Sequence, residues 1–354
     1  MSRTRASEAT EFMPTFDWQD AYPWQTAELA ERLRQPELWP QSLLMCGADG
    51  IGKRVLALNA ARALLCDTPR ADHTACGECP SCHFVAQNQH PDLMLIEPLE
   101  YGDSGEIKVL DAIPVDAIRR LIAFMQVSDH RQRGKIAIIT PAEKLNPAAA
   151  NALLKTLEEP PEGARLILVA HQWKRLPATT LSRCQRWAVP YPDEKDALNF
   201  LEAQDIADAA TLLAQAGGAP LRALAMHDDE TLELYQQWLA TLSEPKRLSP
   251  FAIAQAWSGG SRDVLKQQLA RWLDVLISWV HDLARVQGGG VPRYHPEYQE
   301  AIHRLTPMLA DAALFRYYHK LLQQRRWLSH PLQPRLIVES LLSDYRALFI
   351  ARRH

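Results

Sequence analysis

The sequence predicts an α/β domain built on a phosphate-binding loop, with a cysteine-rich insertion, followed by an all-helical C-terminal half. Three observations predict it. Apolar strand-like runs alternate with helical segments over residues 22–191, GADGIGK (47–53) joins one such run to a helix, and no convincing strand follows residue 192. Strands alternating with helices imply a mainly parallel sheet covered on both faces.

SLLMCG (42–47) is a short apolar run ending in glycine, and RVLALNAARALLC (54–66) has helical spacing. DLMLIEP (92–98) reads as a strand and IPVDAIRRLIAFMQV (113–127) as a helix. KIAIIT (135–140) and RLILVA (165–170) are further strands. NPAAANALLKTLEEPP (146–161) opens with an Asn cap and proline at the first helical position and closes at a double proline, the bounds of an amphipathic helix. Beyond residue 192, PDEKDALNFLEAQ and IADAATLLAQAGG read as two helices closed by Gly217 and Gly218, with a third from Leu221. Leu265, Leu269, Trp272, Leu273, Leu276, Val280 and Leu283 keep a three/four spacing that predicts one helix over 261–286, broken by the glycines at 288–290. Two more amphipathic helices are expected over 312–327 and 335–350. Several of the ten tryptophans fall here, and their expected role is to anchor cores between helices.

A chain of 354 residues exceeds one ordinary core, so two or three domains are expected. Its 47% hydrophobic and 23% charged residues are ordinary for a globular protein, and the formal net charge of -3 argues against a chain that binds nucleic acid alone. No apolar run reaches membrane-spanning length, and the polar opening stretch lacks a signal-peptide core. The expected location is the cytoplasm, with no membrane partner. Residues 1–21 are expected to be a disordered extension, within which Met13 is a second candidate start.

GADGIGK matches G-x-x-x-x-G-K between a strand and a helix, the context that gives the motif meaning. Gly47, Gly50 and Gly52 let backbone N–H groups turn toward phosphate oxygens, and Lys53 would reach the β- and γ-phosphates. A working NTPase places Ser or Thr next, to hold Mg²⁺. Here that position is Arg54, which cannot ligate a cation. The strand KIAIIT ends in Thr140 and Pro141 where a metal- and water-binding pair of acids would stand, and Glu143 comes two residues too late. ATP binding stays open; hydrolysis is not expected.

Cys66, Cys76, Cys79 and Cys82 read C-x₉-C-x₂-C-x₂-C. In a reducing compartment, four clustered cysteines point to metal rather than disulfides, and four thiolates make a closed, structural tetrahedral zinc site. One tight knuckle would supply three ligands, with Cys66 anchoring from the end of the preceding helix. His73 and His83 are alternative ligands. The flanking Asp67, Asp72 and Glu78 argue against a nucleic-acid-binding zinc ribbon. Cys46 and Cys184 read as buried small hydrophobes.

NALLKTLEEPP (151–161), LSRC (181–184), the altered phosphate loop and the cysteine cluster, in this order, resemble the clamp-loader subunits of bacterial DNA polymerase III, members of the AAA+ family. The catalytic tau/gamma members keep an intact phosphate loop and acidic strand end; this chain has neither, so it resembles the delta-prime branch. The likeness covers residues 22–225 well. It implies an AAA+ domain over 22–192 with a zinc module at 66–82, a three-helix lid over 193–228 and a helical collar over 229–354. It further implies a hetero-pentamer with delta and tau/gamma subunits that places the β sliding clamp on primer–template DNA, as part of the DNA polymerase holoenzyme. In that assembly this chain would be the rigid, non-catalytic partner. Arg183, flanked by Ser182 and Cys184, would act in trans as an arginine finger on a neighbour's ATP. His171 stands where related ATPases put a polar sensor, and Arg222 is displaced by one residue from the family's sensing arginine, so neither is assigned that role. Two rivals remain: an active tau/gamma-like ATPase, and an independent zinc-dependent DNA-binding protein.

Overall fold

The apolar runs of the first half do assemble into one buried sheet. The computed structural model describes residues 20–101, 107–227, 229–255, 257, 262–326 and 333–350. The expected extension, apart from residues 20 and 21, and the candidate start Met13 lie outside the described residues, as does residue 327. The chain divides into two compact units, residues 1–197 and 198–354.

The first unit runs α1 (Pro23–Leu33), β1 (Ser42–Cys46), α2 (Lys53–Leu65), α3 (Pro80–Ala86), β2 (Leu93–Ile96), β3 (Leu99–Tyr101), β4 (Ile107–Val109), α4 (Val115–Gln126), β5 (Lys135–Ile139), α5 (Pro147–Glu158), β6 (Ala164–Ala170), α6 (Ala178–Leu181) and β7 (Gln185–Ala188). Five strands form a parallel sheet in the order β2-β5-β6-β1-β7. In the register, Met45 of β1 lies opposite Val169 of β6 on one side and Trp187 of β7 on the other. Every residue of β1 and β5 is buried, which is why both read as continuous apolar runs rather than alternating ones. Leu121 and Met125 of α4 and Leu153 and Leu157 of α5 cover one face of the sheet. The cap expected for α5 is formed: the Asn146 side chain accepts from the Ala149 N–H at 2.7 Å.

Two features were not legible. The edge strand β7 has the sequence QRWA, of which only Trp187 is buried, so it lacks an apolar pattern. Its partner β1 and the packing of Trp39 edge-on to Trp187, with ring centroids 6.2 Å apart, define it. The antiparallel pair β3–β4 is three residues a side and exposed on β4, too short for periodicity to speak.

After β7 the described residues contain helices and no strand: α7 (Glu194–Glu202), α8 (Ala209–Gln215), α9 (Pro220–Met226), α10 (Asp229–Ser243), α11 (Pro250–Gln255), α12 (Arg262–Gln287), α13 (Gln299–Leu305), α14 (Asp311–Arg326) and α15 (Pro334–Ile350). Long α12 lies at the centre of the second unit's core, with Leu269, Trp272, Leu273, Leu276, Val280 and Leu283 all buried. Among the described residues, Trp257, Trp272 and Trp279 are buried core anchors. Trp279 donates its indole N–H to Tyr345 Oη at 2.7 Å, and that hydroxyl donates to the Leu242 carbonyl at 2.7 Å, so neither polar tip is stranded. No helix among the described residues is long and apolar enough to cross a membrane.

Candidate functional site

The loop after β1 leaves the carboxyl edge of the sheet, where open α/β sheets bind ligands. Gly50 and Gly52 take left-handed φ of 79° and 85°. A Cβ on Gly52 would lie 2.5 Å from a ring carbon of Tyr22, and one on Gly47 would lie 2.8 Å from the Val189 carbonyl. Glycine at both positions is therefore a packing requirement. α2 begins at Lys53, so its first-turn N–H groups face the loop. Lys53 is buried and donates its ammonium to the Ala48 carbonyl. Burial pulls its pKa down to about 8, against the opposing pull of Asp49 and Glu143.

Arg54 does something the sequence did not announce. Its Nε donates to Glu97 Oε1 at 2.7 Å and its Nη2 to Oε2 at 2.9 Å, a two-pronged ion pair to the residue that directly follows β2. The position where a hydroxyl would hold Mg²⁺ is thus a guanidinium fixed on a carboxylate. Glu143 is also engaged: one oxygen accepts the N–H groups of His171 at 2.9 Å and Gln172 at 2.8 Å, just past β6. The half-buried His171 holds Nδ1 3.4 Å from the Asp49 carboxylate, and burial lowers its pKa. Glycines, helix start and lysine together can cradle phosphate; no side-chain hydroxyl follows the lysine.

The four cysteines converge. Their Sγ atoms all lie within 4.8 Å of one another. Cys66 Sγ is 3.5 Å from Cys76, 3.8 Å from Cys79 and 3.6 Å from Cys82, and Cys76 is 3.8 Å from Cys82. Four sulfurs at Zn–S lengths of about 2.3 Å in a tetrahedron stand about 3.8 Å apart, so the donor set fits zinc. All four cysteines are free thiols. Cys66 caps the end of α2 and Cys79 caps the start of α3, where Pro80 takes the first helical position. Backbone N–H groups are aimed at sulfur: Cys76 toward Cys66 (3.4 Å), Glu78 and Cys79 toward Cys76 (3.4 and 3.3 Å), and Cys82 toward Cys79 (3.4 Å). The Thr68 hydroxyl beside Cys76 is the main cause of a thiol pKa near 5 there, whereas burial pushes Cys66 and Cys82 up. His73 and His83 are not among the converging ligands.

Residues remote in sequence lock this module to the sheet. Ser81 donates to the Leu65 carbonyl at 2.6 Å and meets His90 Nε2 at 2.8 Å. His90 Nδ1 accepts the Asp92 N–H at 3.0 Å, so Nε2 carries the ring proton and donates to Ser81. Buried Asp92 accepts from the His130 N–H at 3.0 Å and lies 3.4 Å from Lys135 Nζ, which hold its carboxyl below the usual range despite burial. Arg131 pairs with Asp67 at 2.8 Å.

Arg183 follows α6, between Ser182 and Cys184, just ahead of β7. Its Nε donates to Glu158 Oε1 at 2.7 Å and its Nη2 donates to the same oxygen. Its Nη1 donates to the Thr179 carbonyl at 2.8 Å. Cys184 packs partly buried against the sheet's core, which pushes its thiol up to about 11. Cys46 is fully in the core. In the second unit Arg222 reaches Asp274 at 3.9 Å.

The family model described as DNA polymerase III, delta subunit, matches residues 24–192. DNA polymerase III subunit delta' of Pseudomonas aeruginosa is 32% identical over 340 residues, covering 93% of this chain and 98% of that protein. The chain belongs to the DNA polymerase III subunit delta' family. Within that family, Escherichia coli subunit delta' is 32% identical over 212 residues, 58% of this chain and 60% of its own length. Outside it, Escherichia coli subunit tau is 29% identical over 329 residues, 84% of this chain and 48% of its own length.

Proposed function

We propose that this delta'-family chain acts in DNA replication as a non-hydrolysing subunit of the DNA polymerase III clamp loader. It sits in a hetero-pentamer with delta and tau/gamma subunits, helps place the β sliding clamp on primed DNA, and supplies Arg183 in trans to a neighbouring ATPase subunit. The AAA+ domain, lid and collar keep the boundaries given above, the cysteines hold one structural zinc, and the chain works in the cytoplasm. One observation carries the non-hydrolysing part: the residue after the phosphate-loop lysine is Arg54, held two-pronged on Glu97. A metal-dependent hydrolase needs an oxygen ligand there; Arg54 has none to give, and the carboxylate beside it is taken up by the guanidinium. Family membership and the LSRC segment support the trans role, since arginine fingers given by a neighbour are worth roughly 10³–10⁵ in rate where measured in other systems.

The purified chain is expected to show no Mg²⁺-dependent ATP turnover; rates of about 1 per second or faster would defeat the reading. Weak nucleotide binding would not. In the reconstituted loader, Arg183→Ala should assemble normally yet reduce clamp- and DNA-stimulated turnover. Arg186→Ala is the control: Arg186 is a nearby charge that stacks on Trp173, 4.8 Å from the ring centroid. If both variants load clamps like the unaltered protein, the trans assignment is wrong.

A further inference from the structure

Arg183 is already spoken for within its own chain, and the way it is held carries an inference that rests on the trans role proposed above. Three nitrogens of the guanidinium are engaged. Nε (at 2.7 Å) and Nη2 donate to Glu158 Oε1, and Nη1 donates to the Thr179 carbonyl at 2.8 Å and to Ser182 Oγ at 3.3 Å. Of the five N–H groups of an arginine, these contacts use four, the Ser182 contact being the longest. The partners come from three places: Glu158 is the last residue of α5, Thr179 belongs to α6, and Ser182 follows α6 directly. Glu158 itself is half-exposed, so nothing about core packing demands a carboxylate there.

A free arginine side chain samples many rotamers, and a group that must meet a phosphoryl oxygen on another chain loses rate steeply when misplaced. Gripping the Nε–Nη2 edge fixes the plane of the guanidinium, while the Thr179 carbonyl fixes its far corner. The second Nη2 N–H and the long Ser182 contact remain exchangeable for an arriving anion. We propose that Glu158 is a positioning residue: through its carboxylate it presents Arg183, pre-oriented, to the ATP of the neighbouring subunit.

The test uses the full reconstituted loader with ATPase-competent neighbours, comparing kcat and KM for ATP. Glu158→Ala is expected to lower clamp- and DNA-stimulated kcat by about tenfold. KM, assembly by gel filtration and the melting temperature should be unchanged. Glu158→Asp, which keeps the charge, should recover part of the loss, and Glu158→Gln less. In an Arg183→Ala background, Glu158→Ala should have no further effect. An equal loss in that background means that Glu158 acts elsewhere and overturns the proposal. An unchanged kcat for Glu158→Ala, with Arg183→Ala impaired, overturns it while sparing the trans role. A raised kcat also overturns it, because Glu158 would then restrain the finger rather than present it. If Arg183→Ala itself has no effect, the trans role fails first and the positioning role falls with it.

Discussion

The phosphate loop and the cysteine module sit at opposite ends of the same helix, and their side chains meet opposite fates. In the loop, the charged groups are turned onto the chain's own atoms: Lys53 onto the Ala48 carbonyl, Arg54 onto Glu97, and Glu143 onto the N–H groups of His171 and Gln172. In the module, four sulfurs converge on one centre and backbone N–H groups are aimed at them. Both motifs are equally recognisable as strings of letters. What separates them is whether the surrounding chain leaves the functional atoms available or uses them up. Four sulfurs gathered on one centre, with N–H groups aimed at them as they would be at thiolates, ask for a metal; a lysine and arginine satisfied internally do not ask for catalysis.

The largest expected effect lies in the module. Protein purified under reducing conditions should contain one zinc per chain, and structural zinc contributes on the order of 10 kcal/mol locally. Cys82→Ser removes a fully buried ligand and should abolish metal content. Limited proteolysis should then cut within residues 66–86, while the helical second unit stays resistant. Elemental analysis that finds no metal in the unaltered protein would erase the contrast.

Next comes a matched pair of glycines, one from each region. Gly52 and Gly77 share a left-handed φ, 85° and 87°. Around Gly52 an added methyl meets Tyr22 at 2.5 Å, whereas around Gly77 the nearest atom is Arg62 Nη2 at 3.7 Å. Gly77→Ala should cost only the left-handed strain, about 1–2 kcal/mol. Gly52→Ala adds a clash and should cost roughly 3 kcal/mol or more. Denaturant melts of the two variants check this, and equal losses would show that Tyr22 yields easily.

The last effect has the opposite sign. Lys53 is lowered to about 8 in the folded chain from an ordinary 10.5 because it is buried. Below pH 8 both folded and unfolded chains carry the charge, so the folded state bears the whole penalty; above about 10.5 neither carries it and the penalty is gone. Lys53→Met should therefore stabilise at pH 7 by about 2 kcal/mol, the gain from removing a buried charge less the lost bond to Ala48. The advantage should shrink as pH rises through 8 to 10.5. Thermal melts across that range decide it; a variant no more stable at pH 7 would mean the loop compensates the charge fully.

The sequence by itself determined the alternation of strands and helices. Buried parallel strands must be continuously apolar, and the caps at Asn146 and Pro147 are local chemistry. It also determined the four zinc-type ligands, because their spacing is short and their donor atoms are fixed by residue type. The long α12 was legible for the same reason, since a three/four repeat needs no partner to be read. Tertiary structure alone decided the rest. Glu97 stands 43 residues from Arg54, His90 and Asp92 act on a module they do not belong to, and Glu158 lies 25 residues before Arg183. Each is a polar contact between elements adjacent only in space, and no periodicity encodes a polar partner across the fold. The edge strand β7 belongs with them: with one buried residue in four, only its neighbour β1 makes it a strand.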